Sequence, residues 1–419
     1  MLLFLSYNFL MLLLAPWWVT RMLWRSWRRN AWPNWKERFG HYNITPLKDK
    51  KRLWFHAVSV GEVIASLPIL SQLRNRAPNL DILLSVTTTT GYQTAKEIAE
   101  AFVDHLVYFP LDIPRFQLSA MNSVRPDALA IMETELWLDF LWTAKTVGAK
   151  TMLVNGRISD KNFSRSQPIK FFYRGLLKYL DAAYMQTQND ADRLMDLGAH
   201  YVEVVGNCKY DQALEAAEVD PEEWRMKLRI PEGLPVLVIG STRGEEEESF
   251  VLDAVQKVGL NKISVVHAPR HLERVEQLQK QVQQKFGHCA LRSKGESSSY
   301  LILDTYGELS SAYSIADIVV VGGGFSMHGG HNILQPLALG KPVLHGPHMQ
   351  NFAEVTEGSL KTGSSKVCPT SESLATAIEE LLRDDQLRQK MSQSAREFVK
   401  NNLDASARYA DKIIAALEP

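Results

Sequence analysis

The 419-residue sequence has few cysteines and no excess charge of either sign. Its three cysteines, Cys208, Cys289 and Cys368, are far apart and odd in number. This pattern excludes a disulfide framework and shows no metal-ligand spacing. Lysine plus arginine equals aspartate plus glutamate at 47 each, so the global charge does not point to nucleic acid. The chain also lacks short internal repeats, which excludes a repeat architecture. Its length predicts two domains.

The positive charge is concentrated near the N-terminus. Residues 1–52 carry ten lysines and arginines but only two acids, and they begin with an apolar segment over residues 1–20. About 20 apolar residues span a bilayer core. Because the charges follow this segment and no small-residue cleavage site is visible, the pattern favours a single-pass membrane anchor, with the rest of the chain on the cytoplasmic side. The alternative is a buried first helix of a soluble domain.

Beyond residue 50, short apolar runs alternate with helical patterns, as is typical of a parallel sheet with helices on both faces. The predicted helices include residues 62–74 and 92–101. The predicted strands are 53–58, 81–86, 128–132, 151–154, 183–186 and 202–205, then 236–240, 263–268, 300–303, 317–321, 342–345 and 366–368.

The alternation pauses near residues 214–235, where Asp220-Pro-Glu-Glu reads as the capped start of a short linker helix. We therefore predict an anchor and basic interfacial segment at 1–30, followed by two Rossmann-like α/β domains facing a cleft. The domains cover 31–214 and 215–419, and the last helix could cross back to the first domain.

Acidic residues follow two predicted strands of the first half. Glu62 ends a Ser-Val-Gly-Glu segment that opens a helix, so it is either a general base or a partner of the helix dipole. Gly61 is expected to permit a tight turn there. Glu133 and Glu135 follow residues 128–132, and such acids are costly unless they are functional or paired, for example with Arg157.

Lys209 follows the last strand of the first half and could neutralise a phosphate or pair with Asp211. Glu245, Glu246, Glu247 and Glu248 form a run that we interpret as a capped, solvated helix start rather than a metal site.

Phosphate-binding features follow three predicted strands of the second half. The glycine turn at residues 322–324 comes between an apolar run and a helix start, where backbone N–H groups can bind an anion. Ser241 and Arg243 follow the first strand of this half, and Arg270 follows the second. His271 is either structural or a direct participant. These residues predict one convergent anion site.

An ordered set of segments resembles the 3-deoxy-D-manno-octulosonic acid (Kdo) transferases of lipopolysaccharide biosynthesis, which are GT-B glycosyltransferases. The segments are residues 54–62, 85–91, 133–137, 155–159, 206–209, 240–242, 267–274, 304–309, 329–332, 341–348 and 351–352.

The resemblance implies an inverting, metal-independent transfer of Kdo from CMP-Kdo to a lipid A precursor, without a cofactor and without nucleic acid. An N-terminal helix in the inner membrane is typical of the family. No Asp-x-Asp motif is placed for a metal-bound diphosphate. The implied catalytic residues are Glu62 as general base and Glu135 as a second essential acid. The implied donor-binding residues are Lys209, Ser241, Arg243, Arg270, Gly322, Gly323, Gly324, Asn332 and Gln335. The implied acceptor-binding residues are Ser59, Gly61, Thr89 and Arg157.

Two residues depart from the family pattern. Gln335 stands where the family usually has glutamate, in the position expected to hold the donor ribose, and Arg243 stands where it often has histidine. The rival hypotheses are another GT-B enzyme, such as an epimerase or a lipid-linked sugar transferase, and a catalytically weakened membrane-attached homologue.

Overall fold

The computed structural model describes residues 2–29, 32–45, 50–215 and 219–418. The chain folds into two compact units, one of Met1–Gln212 with Leu403–Pro419 and one of Ala213–Asn402. The first unit is discontinuous in sequence because the end of the chain belongs to it.

The first unit contains a seven-stranded, all-parallel sheet in the order β3-β2-β1-β4-β5-β6-β7. Its strands are β1 Arg52–Ala57, β2 Asp81–Val86, β3 His105–Tyr108, β4 Ala128–Met132, β5 Lys150–Gly156, β6 Ala182–Met185 and β7 Val202–Val204. Its helices are α1 Leu2–Arg29, α2 Trp35–Arg38, α3 Val60–Arg76, α4 Thr89–Ile98, α5 Pro114–Val124, α6 Leu138–Thr146, α7 Asp160–Ser166, α8 Lys170–Leu177, α9 Gln188–Leu197, α10 Lys209–Glu215 and, at the other end of the chain, α19 Ala405–Leu417.

The second unit repeats the architecture with the strand order β10-β11-β9-β8-β12-β13-β14, again all parallel. Its strands are β8 Val236–Thr242, β9 Ser264–Pro269, β10 Ala290–Leu291, β11 Tyr300–Ile302, β12 Ile318–Val321, β13 Val343–His345 and β14 Ser365–Val367. Its helices are α11 Pro221–Lys227, α12 Glu245–Val258, α13 Val275–Phe286, α14 Leu309–Ala312, α15 Leu334–Ala338, α16 Ala353–Thr362, α17 Ser371–Arg383 and α18 Asp385–Lys400.

The strand sequences explain the layers. Side chains of a strand alternate between the two faces of its sheet. Leu53 and Phe55 of β1 accordingly lie in the hydrophobic cluster on one face, and Trp54 lies in the cluster on the other. Because helices cover both faces, the central strands are buried along their whole length, and each contains a run of at least three consecutive apolar residues. The predicted two-domain, parallel α/β fold is confirmed.

All twelve predicted strands are present, with ends that differ by two residues at most. The structure adds two strands that the sequence patterns did not indicate, β3 and β10, and both lie at a sheet edge. Asp220 caps α11 as predicted, since its side chain accepts the Glu222 N–H at 2.9 Å.

The start of α1 packs on the first unit. The ring of Phe4 lies 4.7 Å from that of Trp142, Tyr7 Oη donates to Asp112, and Asn8 Nδ2 donates to Asp139 at 3.1 Å. Further along the helix, large apolar side chains are exposed, among them Leu12, Leu13, Trp17 and Trp27.

The part of the chain that the structure describes contains no helix that is both long and apolar enough to cross a bilayer. The membrane anchor therefore stays a prediction.

Candidate active site

Glu62 lies where β1 passes into α3, at the edge of the sheet where the strands end. Ser59 precedes the helix, and Glu62 is in its first turn. The carboxylate folds back over this turn, because Oε2 accepts the Val58 N–H at 2.8 Å and Oε1 accepts the Ser59 hydroxyl at 3.2 Å. The turn thus fixes both oxygens at the carboxyl end of the strand.

Burial, together with the negative charges of Glu135 and Glu133, raises the pKa of Glu62 to about 7. Burial also raises the pKa of Glu135. These acids come together because β1 and β4 are neighbours, so the segments that follow both strands meet at one edge. A carboxylate with a pKa near neutrality is a competent general base.

Glu133 completes this group of carboxylates. It is one of the few non-glycine residues with a left-handed backbone, at φ 54°. Such conformations cost energy and occur often at functional sites. Its carboxylate lies 3.6 Å from Lys209 Nζ and 4.0 Å from Arg157 Nε. The expected contact between an acid of this segment and Arg157 is therefore present, although it is long.

Lys209 lies beside Glu133 and makes no ion pair with Asp211. Asp211 instead accepts the backbone N–H groups of Asp404 and Ser406, at 2.7 and 2.8 Å. The alternative pairing with Asp211 is therefore wrong. The structure places Lys209 in the first unit, at the same edge as the carboxylates.

Of the implied acceptor residues, Ser59 and Gly61 share the turn of Glu62, and Thr89 begins α4 after the neighbouring strand β2. Gly61 has no left-handed backbone angle, so this turn does not depend on the conformational freedom of glycine. A methyl group added there would meet only Ser59 Oγ, at 4.0 Å. Gly61 thus leaves open space beside the carboxylate.

A cavity of about 340 Å³ lies in the first unit next to Glu133. Its walls include Leu136, Ile158 and Tyr173, together with the polar side chain of Arg165. It joins an apolar lining to the charged edge of the sheet.

In the second unit, β8 and β12 are neighbours, and the glycine turn after β12 contacts the end of β8. The Gly322 N–H donates to the Gly240 carbonyl at 2.8 Å. A side chain at Gly322 would lie 2.6 Å from the Ser241 carbonyl, so only glycine fits. Ser241 itself has a left-handed φ of 60°. Two predicted donor-binding segments are therefore in direct contact.

Backbone N–H groups in and beside the glycine turn bind a carboxylate of the protein. Glu247 accepts N–H groups from Arg243 at 2.6 Å, Gly323 at 2.8 Å and Phe325 at 3.0 Å. Glu247 and its neighbour Glu248 are 1% and 0% exposed. The predicted solvated helix start is therefore wrong for these two residues. The Gly323 N–H, expected to face a ligand anion, already binds Glu247.

Four basic side chains, those of Arg243, Arg270, His271 and His328, act electrostatically on His331, and we call them the cationic cluster. The pKa of His331 is lowered to about 4, first by burial and then by the positive charges of this cluster. The Gly323 backbone adjoins the same ring, since a methyl group there would lie 2.5 Å from His331 Cδ2. Arg243 and Arg270 are exposed. Arg243 and Arg270 thus act electrostatically on His331, and Gly323 of the glycine turn adjoins it. That these residues bind one ligand anion stays a prediction.

His331 Nε2 is buried and has no hydrogen-bond partner in the described part of the chain. His328, His331 and Glu247 were not predicted as site residues. The only signal for the two histidines was their place in the glycine-rich segment.

Asn332 and Gln335 lie at the start of α15. Asn332 Oδ1 accepts the Leu334 N–H at 2.9 Å, so this side chain supports the helix start, and Gln335 is in the first turn. Neither residue makes a contact that identifies a ligand. Within the described residues, no group of three or more histidines, cysteines or acids is placed to hold a metal ion.

Comparisons with known proteins agree with the two-unit division. A family model described as 3-deoxy-D-manno-octulosonic-acid transferase (kdotransferase) matches residues 33–212, and one described as glycosyl transferases group 1 matches residues 222–398.

Two relatives carry the same description. A 3-deoxy-D-manno-octulosonic acid transferase of Chlamydia pneumoniae is 30% identical over 355 residues, which cover 83% of this chain and 81% of the relative. One of Bordetella pertussis is 29% identical over 411 residues, which cover 93% and 94%.

Among solved structures, the UDP-GlcNAc 2-epimerase of Neisseria meningitidis has a TM-score of 0.60 at 14% identity and covers 87% of this chain and 100% of that one. At that identity the likeness concerns the fold alone. The sequence relatives go further, and they show that this glycosyltransferase belongs to the Kdo transferase family of lipopolysaccharide biosynthesis.

Proposed function

We propose that the protein transfers Kdo from CMP-Kdo to a hydroxyl of a lipid A precursor, with inversion at the anomeric carbon and without a metal ion. The observation that carries this proposal is the Glu62 carboxylate, whose pKa is raised to about 7 at a strand end. The cationic cluster of the second unit supports the donor half of the reaction.

The base acts on the acceptor. Ionised Glu62 takes the proton of the acceptor hydroxyl as its oxygen attacks the anomeric carbon. The Val58 N–H and the Ser59 hydroxyl hold the carboxylate in place. The negative charge of Glu135 helps to keep the pKa of Glu62 raised, and so maintains the basicity of this carboxylate. Ser59, Gly61, Thr89 and Arg157 surround the acceptor.

The leaving group of the reaction is CMP. Its departure needs positive charge near its phosphate rather than a general acid. We assign that charge to Arg243 and Arg270, with His331 Nε2 as a further polar contact. Gly322, Gly324, Ser241, Asn332 and Gln335 complete the donor side. Lys209 is adjacent to Glu133, and we place it beside the reacting groups rather than on the nucleotide.

We also propose that the protein works at the inner membrane, with both units on the cytoplasmic side. The exposed apolar side chains of α1 and its cation–π pairs, Arg21 on Trp17 and Arg28 on Trp24, support this proposal. Flotation of the full chain with vesicles of inner-membrane lipid tests it. A protein that stays at the bottom of the gradient would contradict it.

The direct test is incubation of the full-length protein with CMP-Kdo and a lipid A precursor, with the products identified by mass. The expected product is heavier by one or more Kdo residues, and Glu62→Ala abolishes it. An epimerase or a lipid-linked sugar transferase would bind UDP in preference to CMP. A thermal shift with UDP and none with CMP would therefore contradict the proposal.

A further inference from the structure

The N–H groups of the glycine turn are the donors that a second-unit strand end would normally offer to a ligand phosphate. The N–H of Gly323 in this turn and the N–H of Phe325 directly after it donate to Glu247, as does the N–H of Arg243. The anion at these N–H groups is therefore a side chain of the protein itself, the Glu247 carboxylate. Any further anion placed at these N–H groups would have to displace a buried carboxylate.

The carboxylate lies next to the cationic cluster. The backbone N–H of Arg243 donates to Glu247, while the positive charge of its guanidinium lowers the pKa of His331. The N–H of Gly323 also donates to Glu247, and the Gly323 backbone adjoins the His331 ring. A ligand phosphate bound by the cluster thus has a fixed negative charge as its neighbour. A second phosphate on the same ligand would meet electrostatic repulsion and find its N–H donors occupied.

We propose that Glu247 is a specificity-determining residue, which makes the donor site select nucleotides that bear a single phosphate and reject nucleoside diphosphates. This inference rests on the proposed function, since it concerns the donor site of the same reaction. Glu247 touches the loop and not the reacting atoms, so it acts by excluding a phosphate from the N–H groups that it holds.

The neighbouring Glu248 offers a control for a merely structural role. It is fully buried, and its carboxylate binds Arg274 at 2.9 and 2.8 Å, through Nε and Nη2. Within the described part of the chain, the Glu248 carboxylate makes no hydrogen bond to the glycine turn. Glu246 is exposed on the same helix and serves as a second control.

The experiment compares the affinities of CMP and CDP for the full-length protein and for Glu247→Ala, Glu247→Gln, Glu248→Gln and Glu246→Gln. The wild type is expected to bind CMP more tightly than CDP. In Glu247→Ala the three N–H groups are free, so the affinity for CDP relative to CMP is expected to rise at least tenfold. Neither control variant should change this ratio by more than threefold.

A loss of both affinities in equal proportion in the Glu247 variants would mean that the carboxylate only braces the loop, and it would overturn the inference. Binding of CDP by the wild type as tightly as CMP, or more tightly, would also overturn it. If Glu247→Ala does not fold, the same ratio is read from Glu247→Gln, which keeps the side-chain length but lacks the charge.

Failure of the proposed function gives a different result, namely no binding of CMP to the wild type. In that case inorganic phosphate and pyrophosphate replace the nucleotides. A rise in pyrophosphate affinity relative to phosphate in Glu247→Ala would still support the role of Glu247, and an unchanged ratio would refute it.

Discussion

At the scale of single residues, the ionisation of Glu62 should set the pH dependence of the reaction. With a pKa of about 7, Glu62 is ionised and basic only above neutrality. We expect kcat/KM to rise about tenfold per pH unit below pH 7 and to level off above it. Glu62→Gln should lower kcat by roughly 10²–10⁴-fold and remove this dependence. Rates measured from pH 5.5 to 9 test it, with Glu97→Gln on the exposed face of α4 as the control.

The same shift has a consequence for stability. Because folding raises the pKa of Glu62 above its ordinary value of about 4.3, the charge disfavours the folded state, and stability falls as the pH rises from about 4.3 to 7. Glu62→Gln should therefore stabilise the protein at pH 8, by about 1–2 kcal/mol after allowance for solvent screening, and have little effect at pH 4. Thermal melting at both values tests this, and equal effects would contradict it.

A substitution at Gly61 can test acceptor binding without disturbing the fold. The space beside it is open and its backbone angle is ordinary. Gly61→Ala should therefore leave the fold intact and stabilise α3 by about 0.5–1 kcal/mol. If the acceptor passes this residue, the methyl group should raise KM for the acceptor at least tenfold and leave donor affinity unchanged. Unaltered acceptor kinetics would remove Gly61 from the acceptor site.

Sequence reasoning identified the residues whose neighbours are close in the chain. Glu62 is read from its position after β1, and its hydrogen-bond partners lie within four residues. Glu247 could not be read this way, because its partners Gly323 and Phe325 are 76 and 78 residues away. A run of acids looks solvated until the loop that covers it is known.

At the scale of elements, the attachment of α1 depends on two buried carboxyls. Asp112 accepts hydrogen bonds from Tyr7 and from the Phe140 N–H, while Asp139 accepts one from Asn8. Asp139 Oδ2 is buried without a partner among the described residues. Burial raises the pKa of both Asp112 and Asp139. Each ionisation is thus disfavoured in the packed arrangement.

The attachment of α1 should therefore weaken with rising pH. Carboxyls with raised pKa values in the folded state contribute stability at low pH that is lost as the pH rises from about 4 toward neutrality. Hydrogen exchange of α1 amides should be faster at pH 8 than at pH 5.5, after correction for intrinsic rates. Asp139→Asn should reduce the difference, whereas the exposed Asp192→Asn should not. A difference that persists in Asp139→Asn would contradict this explanation.

Apolar runs predicted the central strands because both faces of a parallel sheet are covered. The apolar pattern was too weak to predict two of the edge strands, β3 and β10. β3 has two half-buried residues of four, and β10 has only two residues. An edge strand needs fewer apolar side chains, so its pattern merges with that of a loop.

At the scale of the whole molecule, the last helix belongs to the unit that contains the first residues. Tyr409 and Ile413 of α19 lie in the same buried cluster as Leu53 of β1. Arg408 donates to the Val205 carbonyl, and Tyr409 Oη donates to the Gly206 carbonyl at 2.7 Å. The apolar pattern of α19 predicts a helix with one buried face, but it cannot identify the surface on which that face packs.

Removal of α19 should therefore damage one unit and spare the other. A chain that ends at Asn402 exposes the cluster around Leu53, so the first unit should unfold at a much lower temperature, since burying several large apolar side chains contributes about 1.5–3 kcal/mol each. The second unit, Ala213–Asn402, keeps all its strands and should retain CMP binding. Calorimetry and nucleotide titration of the truncated chain test both expectations, with a chain that ends at Leu417 as the control. Transferase activity that survived the truncation at Asn402 would show that α19 is not needed for the core of the first unit in solution. Loss of CMP binding alone would place the main role of α19 in the second unit.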